Sequence, residues 1–579
     1  MVALFSLKTK LMKKLRWQLL IIFLTGLVVG ILLINEKPDA SSTVDVPEPQ
    51  QGGVYTEALV GKFQRLNPVL DYYNAADREL NRLIFSRMIT FEERGIPKLE
   101  LVETYGISQD GTIYNITLRP DVKWHDGKQL TTNDIMFTIN MIRDGEGVVP
   151  DDIRSFWTEV DVKPLSETTI QFRLEEPFAP FLDYLSFGIL PEHLLGNLSF
   201  EQMIDNGFNL QPVGSGPYAF EGLITENNQI KGVILRANQD YFEDPPLIEQ
   251  MVFHYYDSSS DALKAFQDGM VLGISKVDSS ILGKVLIDPD LALYTAREPR
   301  LTLIFFNLKN QEVPFFQDIN VRKALLSALN RQKMVDKIFN SQAIIADGPI
   351  LPGTWAYYDG IKSVEFDQNM ATQLIKDAGY VLGGENTTIR AKDGVEFRFE
   401  LLYPDDETHR QIAEMIQQNW EALNIAVNIR GVSYSELIDS YLNPRSYQAA
   451  LIDLDLSWTP DPDPYPFWDQ VQATGGQNYS QWDNFVASDY LEQARITTNL
   501  IDRSLFYRNF QVIFEEELPA LPLFYPVYNF AISTQIQGVT VGPMFDTSDR
   551  FQTVKNWYII GPKPETITTP SLESSSGDE

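Results

Sequence analysis

The chain contains no cysteine in its 579 residues. This absence excludes a structural disulfide, a thiolate zinc site, an iron–sulfur cluster and a cysteine nucleophile. It also excludes a lipid-modified cysteine as a membrane attachment. A chain of this length can bury sizeable hydrophobic cores without such cross-links, and it has room for about three to four domains or lobes.

Histidine is scarce, and positive charge is outnumbered by negative charge. The chain has 47 Lys and Arg against 79 Asp and Glu, a formal net charge of −32. Such an acidic chain repels phosphate groups, so we expect no nucleic-acid partner. No metal-ligand spacing relates the four histidines, which are His125, His193, His254 and His409.

The common catalytic motifs are also missing. There is no G-x-S-x-G and no Walker sequence. Gly214-x-Gly216-x-x-Ala219 matches a dinucleotide fingerprint formally, but Pro217 and the following residues indicate a turn into a strand rather than a helix. The sequence therefore predicts no catalytic residue, no metal ion and no cofactor. A hydrolase that uses two carboxylates stays open, because the separation of carboxylates depends on the tertiary structure.

The N-terminus predicts a membrane anchor. Residues 1–16 carry five basic residues and no acidic one, and residues 17–34 are uncharged. As a helix this run is about 27 Å long, just enough to cross a bilayer, with the basic stub in the cytoplasm. A cleaved signal peptide is the alternative, but the cleavage motif is weak. Residues 35–52 are expected to form a flexible tether, and residues 563–579 a disordered tail.

Helix and strand patterns alternate along the rest of the chain, which indicates an α/β fold. Thr131 and Asp134 match a capping box, and Asp318 can cap an amphipathic helix whose first apolar position is Val321. The remaining predicted elements are strands at 113–118, 169–174 and 426–429 and helices at 368–378 and 409–423.

One aromatic and acidic segment, residues 457–468, is a candidate binding site. It places tryptophans, prolines, Asp461 and Asp463 directly after the apolar run at 449–456. A carboxylate in a rigid aromatic loop suits an ammonium group, because the aromatic rings exclude water and strengthen the ion pair. The alternative is a proline-rich connector with its tryptophans in the core, and composition alone favours that alternative.

The run Leu118–Thr131, with its continuation to Thr138, is similar to the signature "LR-x-x-x-K-F/W-H/S-D-G-x-x-x-T-A-x-D-V-x-F-S". By this run the chain resembles the family 5 extracellular solute-binding proteins of ABC importers, the dipeptide/oligopeptide-binding group. The resemblance extends from about Gly53 to Tyr558. Supporting matches are at 214–218, 238–242, 306–307, 321–325, 377–380 and 458–461.

The resemblance implies a two-lobed periplasmic-binding-protein-like α/β fold with an extra subdomain inserted in lobe I, here preceded by the predicted membrane helix. The signature run then belongs to the scaffold of the inserted subdomain. The implied bounds are 53–90, 211–298 and 526–562 for lobe I, 91–210 for the inserted subdomain and 299–525 for lobe II.

The resemblance also implies a function and a site. Members capture dipeptides or oligopeptides by hinge closure and deliver them to a permease in the membrane. In peptide-binding members the aspartate of a W-x-x-D segment pairs with the peptide α-amino group. That position is Asp461 here, with Asp463 as the alternative, and Trp458, Tyr479 and Trp482 are further candidates for ligand contact. No basic residue is assigned to a ligand carboxylate.

Other functions stay open at this point. Members of the resembled family also bind nickel chelates, haem, opines and oligosaccharides, so the solute is undecided between these and peptides. A secreted glycan hydrolase is an alternative from another class. A signalling module is disfavoured because only about 16 residues precede the predicted helix. We expect a monomer on the extracytoplasmic face of the membrane.

Overall fold

The computed structural model describes residues 49–383, 388–457, 460–542 and 544–561. The predicted stub, membrane helix and tail lie outside these ranges, as does most of the tether, so the anchor stays a prediction. Among the described residues no helix has the length and apolar character needed to cross a membrane.

The strands of the described residues are numbered in chain order. They are β1 Val54–Val60, β2 Ile89–Phe91, β3 Pro97–Leu99, β4 Val102–Ile107, β5 Ile113–Leu118, β6 Asp161–Pro164, β7 Thr169–Arg173, β8 Tyr218–Glu226, β9 Gln229–Ala237, β10 Gln250–Tyr256, β11 Gly273–Ile274, β12 Leu291–Arg297, β13 Arg300–Phe306, β14 Ala343–Ile345, β15 Val381–Leu382, β16 Arg390–Lys392, β17 Val395–Glu396, β18 Arg398–Pro404, β19 Ala426–Val432, β20 Ala449–Asp455, β21 Ala520–Ser533, β22 Ile536–Gln537 and β23 Tyr558–Ile559.

The α-helices of the described residues are numbered in the same way. They are α1 Ala75–Ile84, α2 Thr132–Arg143, α3 Asp151–Glu159, α4 Glu192–Leu195, α5 Phe200–Ile204, α6 Ser259–Gln267, α7 Ser279–Ile287, α8 Ile319–Ser327, α9 Arg331–Ile338, α10 Gln368–Asp377, α11 Glu407–Glu421, α12 Tyr434–Glu436, α13 Tyr465–Trp468, α14 Phe485–Ile496 and α15 Leu500–Glu517. Short 3₁₀ segments include Ala179–Leu185 and Thr547–Phe551, and Leu437–Leu442 is a π-helical turn.

The local predictions are confirmed where capping chemistry is explicit. Thr131 and Asp134 form the capping box of α2, and the Asp318 side chain caps α8. Helix α11 begins two residues before the predicted start at 409, because the Asp406 side chain accepts the backbone N–H of His409 and caps it.

Twelve of the described strands join one mixed sheet in the order β19-β18-β20-β13-β21-β11-β1-β10-β9-β8, with β12 and β14 also paired to β21. The pairs β1–β10, β1–β11, β18–β19 and β18–β20 are parallel, and the other pairs are antiparallel. A separate four-stranded sheet, β4-β5-β7-β6, lies within the predicted inserted subdomain.

Strand β21 connects the two halves of the large sheet. Its first half pairs with β13 and β14, and its second half pairs with β12 and β11. The pairing partner changes at residues 526–527, next to the lobe limit expected at 525/526. The other expected limit, 298/299, falls between β12 and β13. One expected limit therefore lies between two strands and the other where the pairing of β21 changes, and the lobe bounds stay predictions.

Side chains of β13 point alternately into two hydrophobic cores. Leu303 and Phe305 belong to the cluster that contains Trp468 and Tyr507. The next residues along the strand, Ile304 and Phe306, belong to the cluster on the opposite face that contains Trp420. This alternation follows from the two-residue period of a strand, and it explains why nearly all of β13 is buried.

Candidate ligand-binding site

Helix α1 and the glycine run at 214–216 position one wall of the site. The Gly216 N–H donates to the Ile84 carbonyl at 2.8 Å, and the Ser86 hydroxyl donates to the Ser215 carbonyl at 3.0 Å. A Cβ at Gly214 would lie 1.9 Å from the Ile84 carbonyl oxygen, so only glycine allows this approach. The contact fixes the residues that follow the helix, Phe85 to Arg87.

A second wall is held by a fully buried arginine. Arg550 lies in the 3₁₀ segment Thr547–Phe551, and its guanidinium pairs with Glu57 of β1 and Glu79 of α1. Four hydrogen bonds satisfy these buried charges. Arg550 Nε and Nη2 donate to Glu79 and Nη1 donates to Glu57 at 2.6–3.0 Å, and Nη2 also donates to Glu57 Oε1. The network holds residues 545–549 against α1.

Between these walls lies a cavity of about 200 Å³. It is closed on the third side by residues 183–188 of the predicted inserted subdomain and reaches Ser457, at the start of the predicted binding segment. Its wall mixes aromatic rings such as Trp157 and Tyr184 with many charged groups. The charged lining residues are Asp71, Arg78, Arg82, Arg87, Asp152, Asp183, Asp546 and Asp549.

Asp461 lies directly behind the cavity wall. Its backbone N–H donates to Asp183 Oδ2 at 2.6 Å. Its carboxylate is engaged within the protein: Oδ2 lies 2.5 Å from Arg503 Nη1, and Oδ1 accepts the Tyr507 hydroxyl and the Asp463 N–H, each at 3.2 Å. Burial, together with the charge of Asp461, raises the pKa of Asp183 well above its ordinary value.

Asp463 lies at the contact between the predicted lobe II and the inserted subdomain. It pairs with Arg495 at 3.2 Å, and the Arg495 guanidinium lies over the rings of Tyr465 and Phe178 at 4.3 and 5.1 Å. Burial raises the pKa of Asp463 to about 6. A second, more acidic cavity of about 560 Å³ adjoins this contact and is lined by Glu159, Glu175, Glu176 and Glu492.

Tyr479 and Trp482 are buried in the core, 6% and 3% exposed. The Tyr479 ring packs on Phe305, and Trp482 Nε1 donates to Glu517 at 2.7 Å. Neither residue is among those that line the two cavities. This packing favours a structural role, and their contact with a ligand stays a prediction. Trp458 lies outside the described residues.

Sequence reasoning did not single out Asp71, Asp183 or Arg87. Asp71 accepts the Asn81 side-chain N–H at 2.7 Å, and burial raises its pKa to about 7. Asp183 lies 278 residues from Asp461 in the chain, so no local pattern signals their contact. In the described part of the chain, no three His, Asp or Glu side chains form a group that could hold a metal ion.

A family model matches residues 97–479: bacterial extracellular solute-binding proteins, family 5. The chain belongs to this family. The resemblance found in the sequence is thereby confirmed. The family is one of substrate-binding components of importers, which work outside the cytoplasm with permease partners.

Relatives with several ligands resemble this member of family 5. The oligopeptide-binding protein AppA of Bacillus subtilis is 26% identical over 542 residues, 91% of this chain and 95% of AppA. Its structure in complex with a nonapeptide has a TM-score of 0.63, at 24% identity over 89% of this chain and 100% of that chain. The dipeptide-binding protein of Escherichia coli is 24% identical over 503 residues, 82% of this chain and 88% of that protein.

The structure of NikZ from Campylobacter jejuni, in complex with Ni(L-His), has a TM-score of 0.64. It is 23% identical and covers 89% of this chain and 100% of that chain. These similarities confirm the expected α/β fold of a two-lobed binding protein. They leave the solute of this chain undecided between peptides and other ligands, and the N-terminal helix stays a prediction.

Proposed function

We propose that this protein binds dipeptides or oligopeptides outside the cytoplasm, without chemical conversion, and delivers them to an ABC importer permease. The acidic pair Asp183–Asp461 beside the cavity is the observation on which the proposal depends. AppA and the dipeptide-binding protein, which resemble the chain over most of its length, support the peptide class.

The acidic pair has the charge that an ammonium ligand requires. The backbone N–H of Asp461 donates to the buried Asp183 carboxyl group, and the charge of Arg503 acts on the side chains of both residues. An added cation would favour the ionised form of Asp183, because opposite charge lowers a carboxyl pKa. The α-amino group of a peptide is such a cation. We propose that it binds at Asp461, with Asp463 as the alternative.

Hinge closure accounts for the position of this pair. Asp461 belongs to the predicted lobe II, whereas Asp183 belongs to the inserted subdomain of lobe I. A second contact joins the same parts, since the Trp355 N–H donates to the Arg94 carbonyl at 2.8 Å. A ligand that contacts both sides would stabilise this closed arrangement by its differential affinity for it.

The proposal is tested by calorimetry of the purified full-length chain with a library of peptides two to nine residues long. We expect saturable binding, and the same peptide classes in mass spectra of ligand that co-purifies with the native protein. Binding of an oligosaccharide or a nickel chelate but of no peptide would refute the peptide class. Turnover of a glycan panel would instead support the hydrolase.

The role of Asp461 is tested with Asp461→Asn. We expect this variant to bind peptides with a free N-terminus about tenfold or more weakly, because a charge-assisted contact is lost, and to bind N-acetylated peptides as the wild type does. Comparing the two peptide forms on one variant cancels any loss of stability from the unpaired Arg503. An equal loss for both forms would contradict the role.

The anchor at residues 17–34 is part of the proposal. An uncleaved helix would tether the binding body beside its permease, and the acidic surface would attract cationic peptides. Cell fractionation with N-terminal sequencing tests it: we expect the intact N-terminus in the membrane fraction. A mature chain that begins after residue 34 would show a signal peptide instead.

A further inference from the structure

The three arginines that line the cavity differ in whether they have an ion-pair partner. Arg78 Nε lies 2.6 Å from Asp546, and Arg82 Nη1 lies 3.3 Å from Glu100. Arg87 lines the same cavity, and its side chain has no ion pair or hydrogen bond within the described residues. One cation of the wall therefore lacks a partner in the part of the protein that the structure describes.

The four acids whose charges interact with that of Arg87 have other partners. Asp546 and Glu100 pair with the two arginines just named, and Asp549 Oδ2 accepts the backbone N–H groups of Phe545 and Asp546 at 2.9 and 3.0 Å. Asp71 accepts a hydrogen bond from Asn81. Burial, reinforced by the charge of Arg82, lowers the pKa of Arg87 to about 10, so the group remains a cation at neutral pH.

The backbone holds Arg87 at a fixed place on the wall. Phe85 to Arg87 follow the end of α1 that is pinned by the glycine run, and Arg87 forms an isolated antiparallel bridge with Gly188. Gly188 belongs to the same wall segment as Asp183. Arg87 and Asp183 therefore line one cavity from fixed positions, and Asp461 lies behind Asp183.

We propose that Arg87 binds the carboxylate of the ligand. This inference rests on the proposed peptide-binding function and names its ligand class: short peptides with both termini free. The planar guanidinium can donate two parallel hydrogen bonds to one carboxylate, and a partly buried cation without an ion-pair partner gains from such a contact. A cavity of about 200 Å³ is below the usual 300–1,000 Å³ of ligand pockets, as suits a short peptide.

The experiment compares each of a set of di- and tripeptides with its C-terminal amide, by calorimetry on the full-length wild type, Arg87→Gln and Arg87→Lys. We expect amidation to weaken binding to the wild type by about tenfold or more, and to Arg87→Gln by less than about twofold. Arg87→Lys keeps the charge without the planar fork, so an intermediate amidation effect is expected. Arg173→Gln is the matched control, because Arg173 is exposed and lies outside the cavity.

The outcomes separate the role of Arg87 from the proposed peptide-binding function. If the wild type binds free acids and amides equally well, Arg87 is not the carboxylate partner, although the peptide-binding function stands. The same conclusion follows if amidation has its full effect in Arg87→Gln. If neither peptide form binds the wild type at all, the proposed function fails and the assignment of Arg87 fails with it. If Arg87→Gln does not fold, Arg87→Lys decides the assignment, because an amidation effect as large as that of the wild type would contradict it.

Discussion

At the scale of single residues, the proposed site depends on buried charges, which are stable only when they are paired. Aspartate side chains are mostly exposed in proteins, yet Asp461 is only 4% exposed and pairs with Arg503. Removal of one partner of such a buried pair typically costs about 3–5 kcal/mol, because the other charge is left uncompensated. Stability measurements must therefore accompany every binding measurement on this cluster.

Asp71 leads to a pH prediction at this scale. Burial raises its folded-state pKa to about 7, whereas the pKa of an aspartate in an unfolded chain is about 3.9. Between these values the folded state keeps a proton that the unfolded state has released, so this contribution to stability is full below pH ~4 and is lost as the pH rises through about 7. Asp71→Asn lacks this titration. We expect the wild type to lose stability relative to Asp71→Asn over that window, measured by urea denaturation at a series of pH values.

The control for this comparison is Asp205→Asn, because the Asp205 side chain is 90% exposed. We expect its stability to parallel that of the wild type from pH 4 to 7. Parallel curves for Asp71→Asn and the wild type would show that Asp71 does not keep its proton in the folded state.

At the scale of elements, the close contact between α1 and the glycine run places both Arg87 and the cavity. Gly214→Ala would bring a Cβ to 1.9 Å from a backbone oxygen, which cannot move without shifting the helix end. We expect a loss of about 1–3 kcal/mol in the free energy of unfolding, measured by urea denaturation.

Gly283→Ala is the matched control for this substitution. Gly283 lies inside helix α7 with no atom within 4 Å of the position its Cβ would take. Alanine is the better helix former, so we expect a gain of up to about 1 kcal/mol. If both substitutions shift stability equally, the close approach at Gly214 is not a constraint on the fold.

At the scale of the whole molecule, charged groups take part in the contacts between the predicted lobe II and the inserted subdomain. The Arg495 side chain joins Asp463 to the Phe178 ring across this contact. We expect Arg495→Ala to weaken the closed form and to reduce peptide affinity several-fold. Small-angle X-ray scattering should show a smaller radius of gyration when the wild type is saturated with peptide.

The same scattering measurement provides the counter-test. Arg508→Ala is a suitable control, because Arg508 lies over Tyr358 of the predicted lobe II. An unchanged radius of gyration in the wild type at saturating peptide would contradict hinge closure. An equal change in affinity for both variants would contradict the role of Arg495.

The sequence alone predicted several local elements and the family, whereas the contacts around the proposed site depend on the tertiary structure. Thr131, Asp134 and Asp318 predict helix starts correctly because capping is a contact between near neighbours in the chain. The signature that begins at Leu118 is likewise a run of consecutive residues, so it can be recognised in the sequence. The partners of Asp461 lie elsewhere in the chain: Arg503 satisfies its carboxylate, and Asp183 accepts its N–H from 278 residues away. Likewise, Arg87 becomes a candidate partner for a ligand only because folding gives Asp546, Asp549 and Glu100 other partners.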